Sequence, residues 1–196
     1  MMTSATPGPA RPPALPPGAI PRTTRLPAPP LRRLDDLAGL TAAEAAAAYR
    51  AAEVPTLAEV SGDLIGRMLS PQGLGRGLVA RTLRAFARWR WFPWRGKSFA
   101  LVDADRGEGI NRVWSDVRPC RWFRFETSLA PSRAGAFAAL HLDYDNPGNP
   151  LFIRAIKDEL RRVGPGLYLG QAYVVIGGRA RLVLYFGLAT AAVAAQ

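Results

Sequence analysis

His141 and Asp143 stand two residues apart in a stretch of alternating polar and apolar side chains. In an extended strand they share one face. A histidine oriented by a carboxylate is a general acid or base. The opposite face carries Leu140 and Leu142, which read as core, so His141 and Asp143 belong outside or on a polar lumen face. Glu126 and Glu159 are the other candidate proton carriers, and with His141 they complete the candidate catalytic set. Asp158 and Glu159 are consecutive, so they point to opposite sides of a strand and cannot work as a carboxylate pair. Whichever faces inward needs a cationic partner, such as Arg124 or Arg154.

A second group of residues could hold a ligand rather than transform it. Arg124 alternates with Phe123 and Phe125, and Tyr168 and Tyr185 bring hydroxyls to otherwise apolar runs. Lys97 follows Gly96 in a candidate strand that opens at Trp94. An inward Lys97 could pair with a ligand carboxylate or with Glu159; an outward one is solvated surface. A few polar groups in an apolar cavity make a ligand site, and an ordinary barrel also contains them.

Metal and cofactor chemistry find little support. With one cysteine, Cys120, and one histidine, the chain offers neither a disulfide nor a Cys- or His-rich metal site. Cys120 reads as a small apolar residue at a strand start. Gly73-Leu74-Gly75-Arg76-Gly77 lacks the strand–helix frame of a phosphate loop. No metal and no cofactor are expected.

These residues need elements to position them. Period-2 alternation and turn signals mark strands at 62–69, 94–102, 109–115, 121–129, 136–144, 151–163, 166–176 and 179–188. Ala136, Ala138, Leu140, Leu142 and Tyr144 share one face, as do Leu182, Leu184, Phe186 and Leu188. Tight turns follow at Pro131-Ser132-Arg133, Asn146 to Pro150, Gly164-Pro165-Gly166 and Gly177-Gly178. The pattern predicts a mainly β fold, an eight-stranded antiparallel barrel whose closure removes exposed edges and leaves room for one small ligand.

Helices frame this barrel in the sequence. Thr41 to Glu44 is a capping box ahead of an alanine run, and Thr56 to Val60 suits one short turn. Between the first two strands, Leu78, Val79, Leu83, Phe86 and Trp89 recur at helical spacing. That stretch is a basic amphipathic helix, with Arg81, Arg84, Arg88, Trp89 and Trp91 as candidate lid or membrane-surface residues. The first 34 residues hold ten prolines and few large apolar side chains, which predicts an extended tail. The chain divides into a disordered tail (1–40), a helical segment (41–60), the barrel (61–190) and a C-terminal tail (191–196).

Charge follows the same division. The net charge is +11, yet residues 1–34 together with the stretch between Asp63 and Asp103 carry +13, so the rest sums to −2. The basic character belongs to the appendages, where an anionic membrane surface is a candidate partner. No nucleic-acid fold signature accompanies the basic run, and nucleic acid is not expected as a partner. The first twenty residues lack the apolar run of a secretory signal, and the longest apolar stretch, 182–195, is too short for a bilayer core of roughly 30 Å. A cytoplasmic protein is the expectation, with a membrane-peripheral location as the alternative.

Several motifs resemble those of small bacterial lipocalin-like, calycin-type proteins. Gly62-Asp63-Leu64-Ile65-Gly66 is similar to their Gly-x-Trp-x-Gly opening strand, with Leu64 in place of the tryptophan. Trp94-Arg95-Gly96-Lys97-Ser98-Phe99 resembles their Trp-x-Gly-Lys-x-Phe second strand. Leu142-Asp143-Tyr144, Lys157 to Arg161 and Pro165 to Gly170 resemble their later strands. The resemblance implies a barrel with a central cavity and carries no established activity. Three functions follow as expectations. The first is a carrier or sensor of a small apolar or amphipathic ligand. The second is a cofactor-independent cyclase or isomerase acting on a polyketide, lipid or isoprenoid. The third is a peripheral membrane or assembly subunit acting through the Arg/Trp helix and the tail.

Overall fold

Alternating side chains and glycine turns produce a closed antiparallel barrel. The computed structural model describes residues 30–71, 94–103, 105–113 and 120–196. The tail over 1–29 and the basic helix expected between the first two strands, with Arg81, Arg84, Arg88, Trp89 and Trp91, lie outside the described residues. The strands are β1 (Gly62–Pro71), β2 (Trp94–Leu101), β3 (Arg106–Val113), β4 (Cys120–Pro131), β5 (Ala138–Asp143), β6 (Ile156–Gly164), β7 (Leu167–Ile176) and β8 (Arg179–Ala189). Each pairs with the next, and β1 pairs with β8, with Ile65 opposite Ala189. Gly177 and Gly178, both at positive φ (56° and 75°), form the two-residue turn between β7 and β8.

Short helices surround the strands: α1 (Leu34–Ala38), α2 (Ala42–Ala51), α3 (Leu57–Val60), α4 (Leu151–Arg154) and α5 (Ala191–Ala194). The boundaries correct the sequence reading at β3, which begins at Arg106 rather than at residue 109, and in three further places. The tail expected to run to residue 40 gives way to α1 at Leu34, whose Leu37 is buried against the barrel. Gly187 makes this possible, because a Cβ there would stand 2.9 Å from Leu34 and 3.0 Å from Leu37. Leu151–Arg154, expected as the start of a strand, forms α4, since Pro150 supplies an extended N-cap and the chain turns before β6. Residues 191–194, expected as tail, form α5, whose Val193 packs on the outer wall.

The barrel wall separates two apolar cores. The inner one holds Leu64, Phe99, Phe125, Leu140, Leu142, Leu160 and Phe186, plugged at one end by Leu57 and Val60 of α3. The outer one lies between the wall and α2, where Ala45 and Tyr49, one helical turn apart, meet Leu167, Leu169 and Tyr185. Alternation places Leu140, Leu142 and Tyr144 inward, as expected. In β8 it slips once. Ala172 pairs with Leu184 but Tyr173 with Leu182, and this bulge turns Leu182 to the outer core while Leu184, Phe186 and Leu188 stay inside.

Candidate functional site

The half of the barrel away from α3 keeps a cavity of about 110 Å³. Its walls are mostly apolar: Met68, Phe123, Ile153, Ile156, Ala172, Leu184 and Phe186 all contribute. Four polar side chains interrupt them, namely Lys97, Asn111, Tyr144 and Asp158.

Two local irregularities aim these residues inward. Trp94 and Lys97 are three apart, so strict alternation would send them to opposite faces. A bulge with Arg95 as the extra residue, between the pairs Trp94–Val113 and Gly96–Arg112, brings both to the cavity. Gly96 is required there. Its φ is +133°, and a Cβ would lie 1.9 Å from the Leu64 carbonyl oxygen. On β4 the partners of Ile110 and Asn111 are Arg124 and Trp122, which leaves Phe123 as the extra residue at φ +61°. Phe123 and Phe125 consequently both pack inward.

Lys97 lies at the centre of the polar cluster with a side-chain exposure of 3%. Its ammonium donates to Asp158 Oδ2 at 3.0 Å, to Asn111 Oδ1 at 2.9 Å and to the Tyr144 hydroxyl. The rings of Trp94, Phe125, Tyr144 and Phe186 surround Nζ, with centroids 5.1–5.5 Å away. Such a cage of π faces favours the cation. Tyr144 donates to Asp158 Oδ2 at 3.1 Å, and Asn111 Nδ2 donates to Tyr144 and to the Phe123 carbonyl at 3.2 Å each. Trp94 Nε1 donates to Asn111 Oδ1 at 3.0 Å. Desolvation pulls Lys97 below the ordinary lysine range and pushes Asp158 above the ordinary carboxyl range, while their mutual attraction opposes both shifts. Burial also raises the Tyr144 phenol well above its usual value. Asp158 Oδ1 is buried and, among the described residues, meets no donor. Thr127 Oγ1 and Arg161 Nε are likewise unpaired, but neither residue lines the cavity.

A second polar cluster sits on the other side of the wall, under α2. Glu159 is fully buried and accepts from Ser132 Oγ at 2.6 Å, Arg133 Nη1 at 2.7 Å, Arg133 N at 3.0 Å and Tyr49 OH at 3.2 Å. His141 Nε2 lies 3.7 Å from it. The imidazole is fixed by Arg133 Nη1 at 3.2 Å from Nδ1 and by the Pro131 carbonyl at 3.0 Å from Nε2. A guanidinium only donates and a carbonyl only accepts, so the ring is neutral with its proton on Nε2. Burial, the largest influence, holds His141 below its ordinary value.

These positions revise the sequence reading of individual residues. His141 and Glu159 do meet, but outside the lumen, because Leu140, Leu142, Asp158 and Leu160 take the inward positions. Glu126 is exposed on β4, opposite Glu108 and Asp143, and faces no cavity. Arg124 is also exposed, on a surface groove shared with the 146–150 loop, and Arg154 pairs with Asp145 at 2.6 Å. Neither arginine partners the buried acid; Lys97 does. Tyr185 lies in the outer core and accepts from Gln171 Nε2 at 2.9 Å. Tyr168 is inside but at the α3 end, where it donates to the Glu59 carbonyl at 2.7 Å. Of the residues expected to bind ligand, Lys97 and Trp94 line the cavity.

Asn111 and Tyr144 escaped the sequence reading as site residues. Tyr144 carried a usable signal, since it shares the inward face of Leu140 and Leu142. Asn111 carried none that distinguishes it from a surface asparagine. Among the described residues no group of three metal-ligating side chains occurs, and no helix is long and apolar enough to cross a membrane. Cys120 is a free, half-buried thiol at the start of β4.

No family model matches the chain. No curated protein matches it either. A crystal structure of a protein from Thermomonospora curvata is similar over 72% of this chain and 81% of its own, at 19% identity and a TM-score of 0.44.

Proposed function

We propose that this is a lipocalin-like barrel that binds one small, mostly apolar molecule in the cavity beside Lys97 and Asp158, as a carrier or sensor. One observation carries the reading: a buried ion pair borders a cavity whose other walls are apolar. Charges inside a protein are costly, and replacing such a pair with apolar residues is often neutral or favourable for stability. A pair placed against open space gives a ligand an orienting polar edge in a greasy site. The volume of about 110 Å³ is somewhat smaller than the roughly 150 Å³ apolar cavity that holds benzene, so the site suits a molecule of only a few heavy atoms.

Native mass spectrometry of the full chain, followed by denaturing release, tests the reading. A small-molecule adduct that disappears in the cavity-filling variant Ala172→Leu is the expected result. If the protein carries no adduct and takes up none from a library of small aromatic and aliphatic compounds, the binding function is wrong.

A further inference from the structure

The side chain of Lys97 is a potential nucleophile as well as a charge, and its nitrogen stands inside the lumen. Lys97 belongs to β2 and Asp158 to β6, which lie four strands apart in the ring of eight. The 3.0 Å bond between them therefore crosses the barrel. Nζ is surrounded by Asp158, Asn111, Tyr144, Trp94, Phe125 and Phe186. All of these except Phe125 line the cavity, as Lys97 itself does.

A lysine in such a place can capture a carbonyl compound. Imine formation needs an uncharged amine, a base to hold its proton, and support for the cationic product. Asp158 Oδ2 accepts from Nζ and is positioned to take the proton. Burial favours that transfer, because it lowers Lys97 and raises Asp158. The free amine adds to the carbonyl carbon, forming the C–N bond. Asp158, directly or through the Tyr144 hydroxyl that touches both partners, then passes protons from nitrogen to oxygen. The C–O bond breaks and the oxygen leaves as water with two of the three ammonium protons. The sum is ammonium plus carbonyl giving iminium plus water, with charge conserved and nothing oxidised or reduced. The iminium stands where the ammonium stood, with Asp158 as counter-ion and the same ring faces around it. We propose that Lys97 holds a small apolar aldehyde or ketone as an imine, with the body of the ligand resting on Ala172, Leu184 and Ile156. The proposal rests on the small-molecule reading above and names the chemical class of the ligand.

The chain has two lysines, which makes the test direct. Lys157, the other one, pairs with Asp143 on the outer face of β6. The full-length protein is incubated with propanal and cyanoborohydride, which reduces an imine to a propyl amine, and the labelled residue is found by peptide mass spectrometry. The expected result is one propyl group on Lys97, gained at least about tenfold faster than on Lys157 in the same sample, as for a desolvated amine. Propanal carrying carbon-13 at the carbonyl should give an imine signal by NMR without reductant. Lys157→Arg should keep both results. Lys97→Met combined with Asp158→Leu should lose both, and if that variant does not fold, the ratio within the wild-type protein still decides. Propanol, of similar size but without the carbonyl, is titrated separately and read at the Ala172 and Leu184 methyls. Propanol shifts at those methyls, with no imine signal and no preference for Lys97, overturn the imine and leave cavity binding intact. If neither compound perturbs the methyls and no native adduct is found, the binding function falls as well.

Discussion

Asp158 and Glu159 are consecutive in β6 and serve two different cores. Asp158 points into the barrel and pairs with Lys97, while Glu159 points out and joins Tyr49 of α2 to Arg133. One peptide bond therefore links the cavity wall to the seat of the helix.

The inner pair should behave as a unit. Lys97→Met or Asp158→Leu alone leaves its partner charged and buried, and each should cost about 3–5 kcal/mol. The double variant removes both charges and should cost less than either single change. Urea denaturation of the three variants measures the coupling, and strict additivity would contradict a direct pair.

On the outer side the Tyr49 hydroxyl and ring are separable. Tyr49→Phe loses the bond to Glu159 and should cost about 1 kcal/mol. Tyr49→Ala also empties the space between α2 and the wall and should cost about 3–5 kcal/mol. Equal losses in thermal or chemical unfolding would mean that the ring contributes little packing.

His141 predicts a pH dependence with a definite sign. Its folded value lies below the ordinary 6.5, so the unfolded chain binds its proton more readily. The contribution of His141 to stability is complete above that value. It falls as pH drops from 6.5 toward the folded value, where Nδ1 gains a proton and loses the hydrogen bond from Arg133. His141→Gln should flatten the stability profile on the acid side of the ordinary histidine value of 6.5. A slope that the substitution leaves untouched would assign the effect to another group.

Gly96→Ala should be among the most damaging single-methyl additions. It combines a left-handed φ of +133° with a contact of 1.9 Å to backbone oxygen. A loss of at least about 3 kcal/mol, or failure to fold, is expected. A near-wild-type melting temperature would show that the β2 bulge has room to rearrange.

The architecture was legible in the sequence because it depends on period and turns, which are local. The eight strands fall close to where alternation and the Gly, Pro and Asn signals put them, except that β3 begins at Arg106 rather than at residue 109 and Leu151–Arg154 is helical. The site was legible only in part. Trp94 and Lys97 share a cavity through a bulge, and a register irregularity leaves no mark in strict alternation. Asp158 and Glu159 could be assigned to opposite faces, but which one faced inward depended on the phase of β6 relative to its neighbours. The pairing of Lys97 with Asp158 joins residues distant in the chain, and residue type alone offered two arginines as equally plausible partners.

The Ile65–Ala189 pairing closes the ring by joining the first strand to the last. During synthesis, β1 leaves the ribosome long before its second neighbour exists. Until β8 follows, the sheet has two open edges and the growing domain can pair with other chains. Closure is thus a late event built on distant contacts, which predicts slow folding. Truncations that stop short of Ala189 should appear in cells as aggregates rather than as smaller barrels.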